Sequence, residues 1–131
     1  MPDFQDISSL TLGLDFVGTI SDSPEFFRIL SRVWPGPVVI ISGYDSVEEL
    51  ERDLEEFQIR YDKAIAVPHS MSKADIILEE NVAFYFDDQV SNLSDVDKIT
   101  TCFLIRNAGK FNDETCHWKI PFRCIDKDQN G

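Results

Sequence analysis

The chain has 131 residues, of which 24 are acidic and 12 are basic, and its formal net charge is −12. This length suits a single domain with a core of its own, and the apolar content argues against disorder. The acidic balance argues against a nucleic-acid backbone or an anionic membrane as partner. No apolar run is long enough for a transmembrane helix. We therefore expect one globular domain over residues 1–131.

The termini and the cysteines predict a cytoplasmic protein. The N-terminal residues lack the basic and then apolar pattern of a signal peptide. Three cysteines, an odd number, suit a reducing compartment with free thiols. Cys102, Cys116, His117 and Cys124 can also be read as a zinc set. Their spacing lacks a paired Cys-x-x-Cys motif, which disfavours that reading.

Strands and helices alternate along the chain. In chain order, the predicted elements are a strand at Thr11–Phe16, a helix that begins at Pro24 and stops before Pro35, a strand at Val38–Ile41, a helix at Val47–Phe57, a strand at Lys63–Val67, a short helix at Lys73–Glu79, a strand at Val82–Phe86, a short helix at Ser91–Val96 and a strand at Thr101–Ile105. After Gly109 the pattern weakens. Alternating strands and helices predict an α/β fold of three Rossmann-like layers, with a parallel sheet of about five strands and helices on both faces.

Local signals support the two longer helices. Ser23 is a candidate N-cap before Pro24, and the apolar face of the first helix is predicted to be Phe26, Phe27, Leu30, Val33 and Trp34. Ser46 and Glu49 fit a capping box at the start of the second helix. The acidic run of that helix is interpreted as a solvated face rather than a metal site.

Polar residues follow the strands at the edge of the sheet where ligands bind in such folds. They comprise three carboxylates, two hydroxyls, an amine and a glycine: Asp15, Thr19, Ser42, Gly43, Lys73, Asp87 and Asp88. Carboxylate oxygens suit Mg²⁺. A lysine and a serine beside backbone N–H groups suit phosphate oxygens. The set therefore predicts a site that holds a divalent cation and a phosphate together.

In this order, the residues resemble the haloacid dehalogenase superfamily of phosphohydrolases. The family's first motif, a strand ending in Asp-x-Asp-Gly-Thr, stands here as Asp15-Phe16-Val17-Gly18-Thr19. The second is Ile40-Ile41-Ser42-Gly43, the third is Lys73 and the fourth is Phe86-Asp87-Asp88. A response-regulator receiver domain uses similar residues in the reverse order, so that alternative is disfavoured.

The resemblance implies a Mg²⁺-dependent phosphohydrolase acting on a phosphomonoester or an acyl phosphate. Asp15 would be the nucleophile that forms an aspartyl-phosphate, and Lys73 would share the catalytic role. The implied phosphate-binding residues are Phe16, Thr19, Ser42, Gly43 and Lys73. The implied metal ligands are Asp15, the backbone carbonyl of Val17, Asp87 and Asp88.

Val17 is where the sequence departs from the family. The family's phosphatases carry there a second aspartate that protonates the leaving group and later activates water, and general acid–base catalysis is typically worth about 10²–10⁴-fold. Two hypotheses follow: a weakened phosphatase that favours good leaving groups, or a catalytically inactive member that binds a phosphate-bearing ligand or a protein. His69 is either an ordinary loop histidine or a substitute acid–base group.

The stretch between Thr19 and Val38 is too short for an inserted cap domain. It also contains no lysine, which disfavours the phosphonoacetaldehyde hydrolase branch, whose Schiff-base lysine comes from such a cap. A site without a cap is open to solvent. We therefore expect a homo-oligomer or a protein partner to cover it.

Overall fold

The computed structural model describes residues 7–68 and 70–106. The strands are β1 (Thr11–Leu14), β2 (Val38–Ser42), β3 (Lys63–Ala66), β4 (Val82–Asp87) and β5 (Thr101–Leu104). The helices are α1 (Pro24–Val33), α2 (Val47–Glu56), α3 (Lys73–Glu79) and α4 (Val90–Leu93). All strand pairs are parallel, in the order β3-β2-β1-β4-β5. The predicted α/β fold is confirmed.

Helices cover both faces of the sheet, which gives three layers. On one face, Phe27 of α1 and Leu50 and Leu54 of α2 pack on the apolar side chains of β1 and β2. On the other face, Ile76 and Ile77 of α3 pack in a second buried cluster. Because β1 and β2 are covered on both faces, their apolar runs are continuous rather than alternating.

β1 ends at Leu14, two residues earlier than predicted. The backbone N–H of Asp15 still donates to the carbonyl of Phe86 on β4 (3.0 Å). Phe16 then opens a tight turn that runs to Ile20 and is closed by a hydrogen bond from Ser21 N to Phe16 O (3.0 Å). The chain reverses at Gly18, whose φ of 84° is easily adopted only by glycine.

The apolar face predicted for α1 is partly wrong. Phe27 is fully buried, and Leu30 and Trp34 pack against the core. Phe26 and Val33 instead are 53% and 69% exposed. The reason is that α1 carries more apolar residues than one face can hold. Its buried stripe follows the spacing of Phe27, Leu30 and Trp34, and Phe26 and Val33 fall outside that stripe.

Ser23 lies at the N-cap position of α1, as predicted, but its side chain makes no capping hydrogen bond. The second helix keeps its predicted capping box, and the helix ends shift slightly. The Ser46 hydroxyl accepts from the Glu49 N–H at the start of α2 (3.2 Å), as the capping box requires. The acidic residues of α2 named for its solvated face are exposed: Glu48, Glu49, Glu51, Glu55 and Glu56. α4 is a single turn at Val90–Leu93, shorter than the predicted Ser91–Val96.

Within the described ranges, the connections between strands contain no inserted domain. The Phe16–Ile20 turn and α1 link β1 to β2, and α3 alone links β3 to β4. None of the described helices is long and apolar enough to cross a membrane. His69, the stretch after Gly109 and the cysteines and histidine of the zinc alternative at positions 116, 117 and 124 lie outside the described residues. The single domain over 1–131 stays a prediction.

Candidate functional site

The predicted site residues meet at the carboxyl ends of the strands. Asp15 follows β1 directly, Ser42 is the last residue of β2, and Asp87 is the last residue of β4, followed by Asp88. Lys73 is the first residue of α3, whose N-cap Ser72 accepts from the Ala74 N–H (3.1 Å). The carboxyl ends of parallel strands lie at the same edge of the sheet. Predicting each strand from its local sequence was therefore enough to predict that these groups lie close together.

Asp15 is held firmly through one carboxylate oxygen. Its Oδ1 accepts hydrogen bonds from the Ser42 hydroxyl and from the Lys73 ammonium, both at 2.8 Å. The Ser42 hydroxyl in turn accepts from the Phe16 N–H (3.2 Å). The contact from the Thr19 hydroxyl to Oδ2 is longer (3.4 Å), and the Asp15 carboxyl is also hydrogen-bonded to the Asp88 side chain. Oδ2 is therefore held less closely by Thr19 than Oδ1 is by Ser42 and Lys73.

Lys73 joins two buried carboxylates. Its Nζ lies 2.8 Å from Asp15 Oδ1 and 3.0 Å from Asp87 Oδ2, and only 10% of its side chain is exposed. Burial alone would lower the pKa of Lys73, but the charges of Asp15 and Asp87 outweigh burial and raise it. The lysine is thus held in its charged form. Two of its three N–H donors serve the carboxylates, which leaves the third for a ligand.

Asp87 is fully buried, and both of its oxygens accept from several donors. Oδ2 accepts from Lys73 (3.0 Å) and from the Tyr85 hydroxyl (2.7 Å). Oδ1 accepts from the Gln89 N–H (2.9 Å), and the Asn92 amide lies 3.2 and 3.3 Å from the two oxygens. A carboxyl group with this many donors is fixed in position, and its hydrogen-bonding capacity is met inside the protein.

The Asp88 carboxyl lies against Gly18 of the Phe16–Ile20 turn and is hydrogen-bonded to the Asp15 side chain. A Cβ on Gly18 would collide with the Asp88 carboxylate, so the turn can pass this close only with a glycine. Carboxylate oxygens of Asp15, Asp87 and Asp88 lie within 4.8 Å of one another, and all three residues are buried. Lys73 pairs with two of these carboxylates, and the four groups together carry a net charge of −2 when ionised. Oxygen donors this close can hold a divalent cation.

The crowding of these acids shifts their protonation. Burial raises the pKa of the Asp15 carboxyl to about 7; Lys73 and Ser42 act in the opposite direction, and the charge of Asp87 adds to the rise. Burial and the charge of Asp87 also raise the pKa of Asp88. Both acids therefore hold protons more tightly than they would in water, and a cation bound between them would displace those protons.

An open cleft of about 510 Å³ lies above Asp15. Its apolar lining residues are Val17, Val67, Pro68 and Met71. Its polar lining includes Gln89, Ser91, Asn92 and Asp95. Lys73, Ser42, Gly43 and Asp88 also line the cleft. The cleft can thus admit a ligand that carries an anionic group at Asp15.

The predicted site residues differ in which of their groups are free to contact a ligand. Val17 lines the cleft with its side chain 57% exposed. Gly43 is exposed at the rim. The Phe16 N–H and the Thr19 hydroxyl, predicted to bind phosphate, are engaged by Ser42 and Asp15. Their role in phosphate binding stays a prediction.

Sequence reasoning missed the residues that hold Asp87. Tyr85 is fully buried, and its hydroxyl lies 2.7 Å from Asp87 Oδ2. Asn92 and Gln89 complete the set from the segment after β4. One signal was available: a buried tyrosine needs a partner for its hydroxyl, and the nearest acid in sequence is Asp87, two residues on.

Comparison with known proteins identifies no relative. No family model matches the chain, and neither the curated proteins nor the solved structures contain a match. The fold and the site thus define an α/β protein of Rossmann-like type with a buried acidic cluster. Its function has to be inferred from the residues of that site.

Proposed function

We propose that this protein is a divergent phosphohydrolase of the haloacid dehalogenase type that its motifs resemble, acting on phosphomonoesters or acyl phosphates through an aspartyl-phosphate on Asp15. The observation that carries the proposal is the asymmetry of the Asp15 carboxylate. Its Oδ1 accepts at 2.8 Å from both Ser42 and Lys73, whereas the contact from the Thr19 hydroxyl to Oδ2 is 3.4 Å. Asp87, by contrast, accepts close hydrogen bonds on both of its oxygens.

The proposed reaction has two steps. Asp15 Oδ2 attacks phosphorus, the bond from phosphorus to the leaving-group oxygen breaks, and the leaving group departs with the electron pair. Water then attacks the phosphorus of the aspartyl-phosphate, which releases inorganic phosphate and restores the carboxylate. Ser42, the Gly43 N–H and the third N–H of Lys73 would hold the phosphoryl oxygens as their charge spreads.

A magnesium ion fits the donor set and belongs to the proposal. Asp15, Asp88 and the backbone carbonyl of Val17 would hold it, with Asp87 within reach in the same cluster. A bound divalent ion would neutralise the excess negative charge and allow a phosphate anion to approach three carboxylates. Without such an ion, the raised pKa of Asp15 would leave part of the nucleophile protonated at neutral pH.

Val17 narrows the range of substrates in this proposal. A valine can neither protonate a leaving group nor activate water. Leaving groups that depart as stable anions, such as aryl oxides and carboxylates, need that proton less. We therefore propose aryl or acyl phosphates as the substrates turned over fastest.

The second candidate is an inactive member that binds a phosphate-bearing ligand or a protein. The observation in its favour is that the Val17 side chain is 57% exposed in the cleft. An apolar side chain there would be buried by a bound partner, and it cannot exchange a proton with a substrate. A homo-oligomer or another protein covering the open cleft would fit this candidate. We place either form in the cytoplasm, in keeping with the free thiol of Cys102.

The deciding experiment measures turnover of 4-nitrophenyl phosphate and acetyl phosphate with Mg²⁺ and with EDTA. Turnover that needs Mg²⁺ and disappears in Asp15→Asn supports the phosphohydrolase. The matched control is Asp75→Asn, an exposed aspartate on α3, which should leave turnover unchanged. A folded wild-type protein that binds Mg²⁺ and turns over neither substrate would replace the first candidate with the second.

A further inference from the structure

Tyr85 reaches from one strand of the sheet to the strand beyond its neighbour. It lies on β4, and its hydroxyl is 3.3 Å from the carbonyl oxygen of Ile41 on β2, with β1 between the two strands. The same hydroxyl is 2.7 Å from Asp87 Oδ2. A phenol has a single proton, and the nearer acceptor, the carboxyl oxygen of Asp87, takes it. Tyr85 is therefore a donor to Asp87, buried directly below the site.

Gly13 makes this reach possible. It stands opposite Tyr85 in the pairing of β1 with β4. A Cβ at position 13 would lie 2.9 Å from Cδ1 of the Tyr85 ring and 2.8 Å from a methyl of Val82. Such distances are too short for carbon atoms, so any side chain there would push the ring away. A glycine inside a buried strand otherwise weakens it, and close approach by a neighbouring group accounts for its presence.

A series of hydrogen bonds connects Tyr85 to Asp15, the predicted nucleophile. Tyr85 donates to Asp87 Oδ2, and Lys73 donates to the same oxygen at 3.0 Å. Lys73 also donates to Asp15 Oδ1 at 2.8 Å. The direction of the Asp87 carboxylate therefore decides where the ammonium of Lys73 stands relative to Asp15.

We propose that Tyr85 is a positioning residue whose hydroxyl, carried across β1 at Gly13, fixes Asp87 and through it places Lys73 for phosphoryl transfer. The proposal rests on the proposed function, because it assigns Lys73 the task of meeting the phosphoryl oxygens. Tyr85 itself touches no ligand, since it is fully buried. Its effect should appear in the transition state, where the charge on those oxygens changes most, and much less in substrate binding.

The test is Tyr85→Phe, which removes the hydroxyl and keeps the ring. With Mg²⁺ and 4-nitrophenyl phosphate, kcat should fall about tenfold, the scale of one hydrogen bond to a charged group, while KM stays within about twofold. Affinity for orthovanadate, which imitates the five-coordinate phosphorus, should fall by a similar factor. If Tyr85 had only a structural role, Tyr85→Phe would lower the thermal stability but would not lower kcat at an unchanged KM.

Two further variants sharpen the result. Tyr61→Phe removes a hydroxyl that lies 3.5 Å from Glu51 on the surface, and it should leave kcat unchanged. Gly13→Ala should lower kcat by displacing the ring, and adding Tyr85→Phe to it should cause little further loss, because both act through one hydroxyl. Losses in kcat that multiply in the double variant would overturn the role of Gly13.

The results distinguish failure of the positioning role of Tyr85 from failure of the proposed phosphohydrolase function. If Asp15→Asn abolishes turnover and Tyr85→Phe leaves kcat and orthovanadate affinity unchanged, the phosphohydrolase stands and the positioning role is refuted. If the folded wild-type protein neither turns over substrate nor binds orthovanadate, the proposed function itself fails, and the role of Tyr85 fails with it.

Discussion

The Nζ of Lys73 lies 2.8 Å from the Oδ1 of Asp15, although 58 positions separate the two residues in the chain. The lysine is almost entirely buried, and it also pairs with Asp87. Three carboxylates converge here, and Lys73 is the cation that pairs with two of them. The stability of this edge of the sheet therefore depends on Lys73 as much as its proposed chemistry does.

Lys73→Met should destabilise the protein strongly in the absence of divalent cations. Removing one partner of a buried ion pair leaves an uncompensated charge, at a typical cost of about 3–5 kcal/mol in the free energy of unfolding. Urea unfolding at pH 8 with EDTA measures it. Lys63→Met is the matched control, because the Lys63–Glu80 pair is at the surface with the lysine 57% exposed. It should cost about 1 kcal/mol or less. Equal costs for the two variants would show that burial of Lys73 is unimportant.

Asp15→Asn should stabilise the metal-free protein more above pH 7 than at pH 5. Burial raises the pKa of Asp15 from 3.8 to about 7, so the folded state binds a proton that the unfolded state releases. Stability from this group is therefore greatest at low pH and is lost as pH rises from about 4 through 7. A shift of this size corresponds to roughly 4 kcal/mol at most, and we expect a gain of about 1–3 kcal/mol at pH 8.

The measurement is urea unfolding of both proteins at pH 5, 6, 7 and 8 with EDTA. The difference in the free energy of unfolding should grow between pH 5 and pH 7 and level off by pH 8. A constant difference across this range would contradict the buried, raised pKa of Asp15. Excess Mg²⁺ should favour the wild-type protein, because the ionised carboxylate is then a ligand.

Gly18→Ala should damage the site, and Gly43→Ala should not. Gly18 has a φ of 84°, and an added Cβ would collide with the Asp88 carboxylate. Left-handed backbone alone costs an alanine about 1 kcal/mol, and the collision adds to this. An added Cβ at Gly43 meets no atom within 4 Å. We expect a loss of more than 1 kcal/mol for Gly18→Ala and about 0.5 kcal/mol or less for Gly43→Ala.

Calorimetric titration with Mg²⁺ tests the functional side of the same pair. Gly18→Ala displaces Asp88 and should weaken Mg²⁺ binding, whereas Gly43→Ala keeps its backbone N–H and should bind Mg²⁺ as the wild type does. Equal affinities in the two variants would remove Asp88 from the proposed metal site.

Val17→Asp should restore the missing acid–base group. The Val17 side chain is 57% exposed in the cleft, so a carboxylate there remains hydrated and costs little stability. With Mg²⁺, turnover of an alkyl phosphate should rise by about 10²-fold or more, and turnover of 4-nitrophenyl phosphate by much less. Steady-state kinetics on the two substrates measures the ratio. An equal gain on both would mean that the leaving group does not need the proton from position 17.

The sequence predicted the strands and the residues at their ends because both are local signals. Val38 to Ser42 is buried throughout, as its β-branched run indicates, and Asp15 and Asp87 follow apolar runs that end at the same edge. The face of α1 was harder to predict. Phe26 and Phe27 are neighbours in an apolar segment, and only the position of the sheet selects Phe27 for the core. The spacing of apolar residues identifies the buried face of a helix only when its other faces carry few apolar residues.

The sequence by itself determined the order of strands and helices and the chemical groups at the edge of the sheet, since propensity and apolar spacing act over a few residues. The tertiary structure alone decided how those groups are shared. Asp87 accepts from several donors that include Tyr85, Asp15 is held most closely through Oδ1, and Gly13 lets a ring from β4 cross β1. Each of these depends on the register between strands and on distances of a few tenths of an ångström, which come from packing the whole sheet rather than from any local pattern.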